Sequence, residues 1–221
     1  MNSFTIFFSF FGQSFKEFSL HKKDYFQSCV ALFCINLISS IPWQGMGYES
    51  NGLYEIIANI IAALLSLVVI VNIVMIEKGK TKDRPKEGLL YTIPTYLIYT
   101  LYCMIIISMG LFLYIVPGIL AYLVLLMVPL SSVLIDNDSV NYFKVSFQMF
   151  KKEPLLIFIL ALATIMSEGI FFLFDLIPDW QVAMAIEVLY GFIDAVLITL
   201  VTMTSVKIFY HIKKLLMIKA E

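Results

Sequence analysis

Residues 89–135 read LLYTIPTYLIYTLYCMIIISMGLFLYIVPGILAYLVLLMVPLSSVLI and contain no charged side chain. A bilayer core takes about twenty apolar residues per helix, so this stretch is too long for one crossing and suits two crossings joined by a turn. Pro117-Gly118 lies near its middle, and this dipeptide is typical of a turn. The stretch therefore predicts a membrane hairpin with helices over about residues 90–116 and 118–135.

The rest of the chain repeats this plan on either side of the hairpin. All fifteen Lys and Arg residues fall in four short stretches, and the spans 24–77, 87–143 and 153–206 between them carry none. Each span has about the length of two crossings, which return the chain to the side it left. Every basic stretch then lies on one face of the membrane, as the positive-inside rule requires. The basic stretches are Lys16–Lys23, Lys78–Lys86, Lys144–Lys152 and Lys207–Lys219.

We therefore predict an all-α polytopic protein with six transmembrane helices, residues 1–221 forming a single integral membrane domain. Both termini are expected in the cytoplasm and the location is the inner membrane. Composition agrees, because 61% of the residues are hydrophobic and 14% are charged, whereas soluble domains are about half apolar and about a quarter charged. The predicted transmembrane helices cover about residues 25–41, 53–76, 90–116, 118–135, 154–177 and 181–208.

Two amphipathic helices are predicted on the cytoplasmic side. Residues 2–23 carry phenylalanines at a helical period on one face and polar side chains on the other, and the apolar part is too short to span a bilayer. A second such segment, residues 140–152, lies between transmembrane helices 4 and 5, with its phenylalanines on one side. Both segments contain a stripe of phenylalanines, end near a lysine pair and lead into a transmembrane helix. This shared plan is visible without an obvious residue-by-residue repeat.

Five polar residues inside the predicted helices form the candidate site. A carboxylate at the bilayer centre costs about 2.5–3.5 kcal/mol. Protonating a Glu at pH 7 costs roughly 3.7 kcal/mol, so neutral carboxyl groups are a realistic state here. No Lys or Arg of the same spans can pair with them, so they must meet polar side chains, water or a bound cation. The five are Glu55, Asn59, Glu168, Glu187 and Asp194.

Helical spacing favours an interior polar seam built from these residues, mostly in the outer half of the bilayer. One interpretation is hydrogen-bonded packing between helices. The other is a solvated cleft or a cation site. Glu55 has a further alternative, a place at the outer interface, because only two residues separate it from Gly52.

Motifs for a reaction, a cofactor or a metal do not occur. The sequence has no HExxH, GxSxG, P-loop or GxGxxG pattern, and the three cysteines lack metal-ligand spacing. His21 and His211 lie at predicted cytoplasmic helix ends without a nucleophile motif. We therefore expect no enzymatic activity, no cofactor and no metal. A nucleic-acid partner is not expected either, because the basic residues are divided among membrane-adjacent segments.

The residues around the central hairpin resemble a known pattern. A Pro-Gly pair at Pro117-Gly118 is followed by Pro129, by an acidic residue at Asp136 and by an amphipathic helix with a Ser-aromatic pair at Ser146-Phe147. In this the chain looks like the YciC-type family of uncharacterised bacterial inner-membrane proteins, which is related to the membrane domain of some glycerophosphodiester phosphodiesterases. The resemblance implies six helices in the inner membrane, structural roles for Pro117, Gly118, Pro129 and Ser146, and no established activity.

The expected function is non-enzymatic, an envelope-supporting or scaffolding role in the inner membrane. One alternative is a small transporter or channel that uses the acidic seam for a cation, a proton or a cationic substrate. Another is a lipid-handling protein whose phenylalanine-rich surface helices act on the inner leaflet. The expected partners are the lipid bilayer and either another membrane protein or a second copy of the chain.

Overall fold

A computed structural model describes most of the chain. Within the described residues 94% are helical and none lies in a strand, which confirms the all-α prediction. The described residues are 2–40, 52–80, 89–135, 140–169 and 180–216. Side chains are described over residues 2–37, 57–79, 92–135, 140–166 and 188–216.

The helices follow the apolar and amphipathic segments of the sequence. The predicted central hairpin, for example, is occupied by helices from Leu89 to Leu134. In chain order the described helices are α1 (Ser3–Leu20), α2 (Lys22–Ser40), α3 (Gly52–Lys80), α4 (Leu89–Leu113), α5 (Ile115–Leu125), α6 (Val128–Leu134), α7 (Tyr142–Lys152), α8 (Pro154–Gly169) and α9 (Trp180–Leu215).

Four helical segments of the described chain are long and apolar enough to cross a membrane. Each has at least 20 residues, the length that a bilayer core demands. A shorter apolar helix covers Pro154–Met166 in α8. The chain is therefore a membrane-embedded protein. The four segments are Ile57–Gly79 in α3, Thr92–Leu113 in α4, Ile115–Leu134 in α5 and α6, and Val188–Leu215 in α9.

Large apolar side chains point outward along these segments. On α4, Ile105 is 57% exposed and Met109 is 62% exposed, and on α3 Ile61 is 52% exposed. A continuous apolar surface of this kind is rare on a soluble monomer. In a bilayer it contacts hydrocarbon, so the exposure agrees with the membrane assignment.

The turn of the central hairpin lies at Tyr114 and not at Pro117-Gly118, where we predicted it. Helix α4 ends at Leu113, Tyr114 has extended backbone with φ −160° and ψ 145°, and α5 starts at Ile115. Pro117 and Gly118 therefore occupy the first turn of α5, where a proline's missing N–H removes no helical hydrogen bond. Gly118 is buried against α4, which is a packing role and not a turn role.

The predicted helix over residues 118–135 is divided in two. Helix α5 ends at Leu125, and α6 starts at Val128 with Pro129 in its first turn. A proline ring inside a helix clashes with the carbonyl of the residue four positions earlier, here Leu125, and has no N–H to donate to it. The break at Leu126–Met127 is the local result.

Helix α9 lies at the centre of the described bundle. It packs against α1, α2, α3 and α8. Met203, Ile208 and Phe209 on it are fully buried. Its 36 residues correspond to about 54 Å at 1.5 Å per residue. The hydrocarbon core is about 30 Å thick, so α9 extends beyond the membrane core.

The two segments predicted to be amphipathic, residues 2–23 and 140–152, contain the helices α1 and α7, which pack against other helices of the bundle. Helix α1 packs on α9 and α8, and α7 packs on α6 and α5. The start of α7 is fixed by Asn141, whose side-chain oxygen accepts a hydrogen bond from the Lys144 N–H at 3.1 Å, a typical N-cap.

Candidate functional site

A group of polar and charged side chains, two buried and two partly buried, lies where four helices meet, and we call it the Lys207 cluster. It consists of Glu17 from α1, Tyr25 from α2, Glu77 from α3 and Lys207 from α9. Glu77 is only 3% exposed and Tyr25 is fully buried. Glu17 and Tyr25 lie near each other in the sequence, whereas Glu77 and Lys207 are far from them and from one another, so the cluster joins the described N-terminal, middle and C-terminal parts of the chain.

Lys207 bridges the two carboxylates of the cluster. Its Nζ donates to Oε2 of Glu17 at 2.8 Å and to Oε2 of Glu77 at 3.3 Å. The hydroxyl of Tyr25 donates to the other carboxylate oxygen of Glu77. Taking an isolated charge out of water costs several kcal/mol, and close opposite charges and hydrogen bonds offset that cost. The arrangement therefore allows a carboxylate and an ammonium group to be buried together.

Lys78, next to Glu77 in the sequence, is buried in a different environment. It is 2% exposed, and its Nζ donates to the carbonyl oxygen of Val133 at 2.7 Å. Val133 lies in the last turn of α6, where carbonyl groups have no partner within the helix and carry partial negative charge. Lys78 thus caps the C-terminus of α6 and ties it to α3.

Asp194 occupies a second polar site, between α2 and α9. It is 2% exposed, and its Oδ2 accepts a hydrogen bond from the side-chain amide of Asn36 at 2.8 Å. About one turn further along α9, the Thr199 hydroxyl lies 3.2 Å from Sγ of Cys29. Polar contacts of this kind join helices inside a membrane.

The other members of the predicted polar seam are distributed differently. Asn59 is exposed on the surface of α3, whereas Asp194 is buried. The side chains of Glu55, Glu168 and Glu187 lie outside the part of the chain that the structure describes. The polar partner of Asp194 that is seen, Asn36, is not a residue that the sequence analysis singled out.

Gly118, a residue of the family-like pattern, allows close contact between α4 and α5. A Cβ atom added to Gly118 would lie 2.4 Å from Cδ2 of Leu111 and 2.6 Å from its backbone nitrogen. A Cβ on Gly110 would lie 3.0 Å from the Cα of Gly118. Only the absence of a side chain lets the two helices approach this closely.

The pattern's other two residues, Pro129 and Ser146, act at the same break in the backbone. Pro129 starts α6 after the break. The Ser146 hydroxyl, from α7, donates to the carbonyl oxygen of Val124 at 2.5 Å, just before the break. The buried Ser146 therefore docks α7 onto the interrupted helix pair.

The residues of the Lys207 cluster, together with Lys78, were not predicted as site residues. Glu77 and Lys78 stand at the end of a long apolar run, where charged side chains are normally solvated. Their partners are distant: Lys207 lies 130 residues from Glu77 along the chain. The only indication in the sequence is that Glu77, a carboxylate, directly precedes a basic stretch. A carboxylate in such a place is a suitable partner for a buried lysine.

A cleft with a volume of about 440 Å³ lies between α4 and α7. Its described lining consists of aromatic side chains, one threonine and one isoleucine. Among the described side chains, no three Asp, Glu, His or Cys residues converge as metal ligands. The lining residues are Thr95, Ile98, Tyr99, Tyr102 and Phe143.

The comparisons with known proteins add no family to this description. No protein-family model matches the chain, and neither the curated proteins nor the solved structures contain a significant match. The similarity to the YciC-type pattern therefore stays a prediction, carried by Pro117-Gly118, Pro129, Asp136 and Ser146-Phe147.

Proposed function

We propose that the chain is a non-enzymatic protein of the bacterial inner membrane with an envelope-supporting or scaffolding role. The proposed topology has six transmembrane helices, with the basic segments and both termini in the cytoplasm. The four long apolar segments support it. Helices α2 and α8 supply the other two crossings; the apolar sequence of α8 continues past its described end to about residue 177.

The observation that carries the proposal is the Lys207 cluster. From Trp180 to Lys207, α9 rises about 40 Å at 1.5 Å per residue, which is about the thickness of a bilayer with its interfaces. In the proposed topology the cluster therefore lies at the cytoplasmic boundary of the membrane. There it fastens α1, α2, α3 and α9 to one another by charge-assisted hydrogen bonds. Helices joined in this way at the cytoplasmic side favour a rigid scaffolding protein over a channel or transporter.

One observation favours a second candidate, a proton- or cation-coupled transporter. Asp194 is a buried carboxylic acid within a membrane span, and ionisable groups in such positions often serve transport. Its hydrogen bond to Asn36 is equally suited to packing. Replacing Asp194 by a neutral residue distinguishes the two candidates, because transport requires the acid and a scaffolding role does not.

One experiment on four variants separates these candidates. Lys207→Met and Tyr25→Phe weaken the Lys207 cluster, Asp194→Asn keeps the shape and hydrogen bonding of the acid, and Lys214→Met changes an exposed lysine as a control. Each variant is expressed in a strain lacking the protein. The amount of folded protein in detergent is measured beside the restoration of envelope resistance to osmotic and detergent stress.

A supporting role predicts that restoration follows the amount of folded protein for all four variants. Asp194→Asn should then restore resistance fully, because its folded amount is unchanged. A transport role predicts that Asp194→Asn folds normally and restores nothing. That result would overturn the proposed function and establish the second candidate.

A further inference from the structure

A short pattern occurs in both α1 and α7. Residues 11–18 read FGQSFKEF and residues 143–150 read FKVSFQMF, so three phenylalanines and one serine occupy the same relative positions. A lysine pair follows each copy, Lys22–Lys23 after the first and Lys151–Lys152 within the end of the second helix. The other four positions of the pattern differ between the two copies.

The corresponding residues are buried and exposed alike. The serines, Ser14 and Ser146, are 0% and 1% exposed. The phenylalanines that follow them, Phe15 and Phe147, are 58% and 53% exposed. Successive side chains of a helix point about 100° apart. A buried serine followed by an exposed phenylalanine therefore defines how each helix is rotated about its own axis. The two helices are therefore rotated alike relative to the bundle.

Each serine also contacts a neighbouring helix through its hydroxyl, although the two hydrogen bonds differ in kind. The Ser14 hydroxyl lies within hydrogen-bonding distance of the Thr204 hydroxyl on α9, at 3.1 Å. The Ser146 hydroxyl donates to the Val124 carbonyl on α5. In both copies the serine thus joins its helix to a neighbouring helix, α9 for Ser14 and α5 for Ser146.

The rest of the α1 surface has an apolar side and a polar side. On α1 the exposed phenylalanines Phe4, Phe8 and Phe15 lie on one side, and exposed Gln13 and Lys16 lie on another. A helix that exposes large aromatic residues and charged residues on separate sides is stable at a boundary between hydrocarbon and water.

Helix α7 also exposes both kinds of side chain, but they are less separated. Exposed Lys144 and Lys151 lie three and four residues from exposed Phe147 and border it on the helix surface, and exposed Gln148 lies farther round the helix. The cationic side chains are suited to the anionic phosphates of lipid headgroups, and the phenylalanines are suited to the acyl chains beneath them. Charge and shape therefore favour an anionic lipid leaflet over a protein as the occupant of these faces.

We propose that α1 and α7 are two copies of one lipid-docking unit for anionic phospholipids of the leaflet they lie in. In each unit the serine holds the helix on the bundle, the exposed phenylalanine (Phe15 or Phe147) enters the acyl-chain region, and the lysine pair binds headgroup phosphates. This inference rests on the proposed function in one respect, that the chain is embedded in a bilayer.

The test uses the full chain in bilayers and tryptophan fluorescence. Trp43 and Trp180 are first replaced by Phe, and a single tryptophan is then introduced as Phe15→Trp, Phe147→Trp or Gln148→Trp. A fourth variant, Ile105→Trp, places the probe on the exposed surface of the span Thr92–Leu113. Quenching is measured with lipids brominated on the acyl chains.

We expect quenching at Phe15→Trp and Phe147→Trp to approach that at Ile105→Trp, with little at Gln148→Trp. Absence of quenching at Ile105→Trp would contradict the membrane embedding itself and so the proposed function. Quenching at Ile105→Trp without quenching at positions 15 and 147 would overturn the docking proposal alone. Quenching at only one of the two positions would overturn their equivalence.

The headgroup preference is tested in mixed bilayers of phosphatidylglycerol and phosphatidylcholine. At equal mole fraction, bromine on the phosphatidylglycerol should quench Phe147→Trp more strongly than bromine on the phosphatidylcholine. Adding Lys151→Gln and Lys152→Gln should remove the difference, and Ile105→Trp should show none. Equal quenching by the two lipids at Phe147→Trp would overturn the anionic preference.

Discussion

A single lysine holds two carboxylates from different helices at one end of the bundle. Lys207 is 15% exposed at its side chain, and Glu77 is 4% exposed. In a site so shielded from water, the ion pair is little screened by salt, and the removal of one partner is costly. Glu77 and Lys207 can therefore be shielded from water at the ends of apolar helices because each is the ion-pair partner of the other.

Replacing Lys207 by Met should lower the free energy of unfolding by about 3 kcal/mol, because two carboxylates lose their shared cation while the volume is kept. The matched control Lys214→Met, at an exposed position of the same helix, should change it by less than about 0.5 kcal/mol. Denaturant titration in detergent measures both. Equal effects of the two changes would show that the Lys207 cluster contributes nothing.

Tyr25→Phe removes only the hydroxyl that donates to Glu77. A hydrogen bond to a charged group contributes about 1.5–3 kcal/mol, so the loss should be smaller than that from Lys207→Met. Because both residues contact Glu77, their effects should not add in the double variant. Strict additivity in the same titration would mean that the two contacts are independent.

At the scale of elements, two close contacts decide how helices meet. Gly118 brings α5 onto α4, and Ser146 docks α7 at the break between α5 and α6. Neither contact needs a charge, since small residues and hydroxyl groups are the usual means of joining helices in membranes. Helices α4, α5 and α7 are therefore joined by close packing and a neutral hydrogen bond, whereas the helices at the Lys207 cluster are joined by ion pairs.

Gly118→Ala should destabilise the protein by about 1–3 kcal/mol, because the added methyl group overlaps the Leu111 side chain and backbone. Gly12→Ala is the matched control, because a Cβ at Gly12 in α1 meets nothing within 4 Å. That change should stabilise by roughly 0.5–1 kcal/mol through helix propensity. Thermal unfolding in detergent would contradict the packing role if both variants shifted the midpoint upward.

Ser14→Ala and Ser146→Ala should each cost about 1 kcal/mol, the typical loss of one buried hydrogen bond. Ser9→Ala, at an exposed position of α1, should be neutral. Similar losses for the first two variants in denaturant titration would support equivalent docking of α1 and α7. A neutral Ser146→Ala beside a costly Ser14→Ala would refute it.

At the scale of the whole molecule, the features predicted correctly are those with a local or periodic signal. Apolar length predicted membrane-spanning helices at about residues 53–76 and 90–116, and the structure has long apolar helical segments at Ile57–Gly79 and Thr92–Leu113. Contacts between distant parts of the chain leave no such signal. Glu77 and Lys207 give no sign of each other in the sequence, and Asn36 gives no sign of Asp194.

The hairpin turn shows a different failure. Pro117-Gly118 is typical of a turn, but the same two residues also suit the first turn of a helix that packs closely on its neighbour. The sequence does not distinguish these alternatives, because the deciding contact with Leu111 is tertiary. The break at Pro129 was predictable in kind from the proline, but its capping by Ser146 again depends on the fold.

The proposed topology is the central claim, and cysteine accessibility tests it most directly. Single cysteines are introduced in a background in which Cys29, Cys34 and Cys103 are replaced. Intact cells are treated with a membrane-impermeant maleimide, and permeabilised cells show that every cysteine can react. The positions are Ser50 and Asp179, predicted outside, and Thr81, Ser139 and Gln148, predicted in the cytoplasm.

We expect Ser50→Cys and Asp179→Cys to be modified in intact cells, and Thr81→Cys, Ser139→Cys and Gln148→Cys to react only after permeabilisation. The reason is that all basic segments should be retained on the cytoplasmic side. Modification of Thr81→Cys or Gln148→Cys in intact cells would contradict the account, because a basic segment would then lie outside.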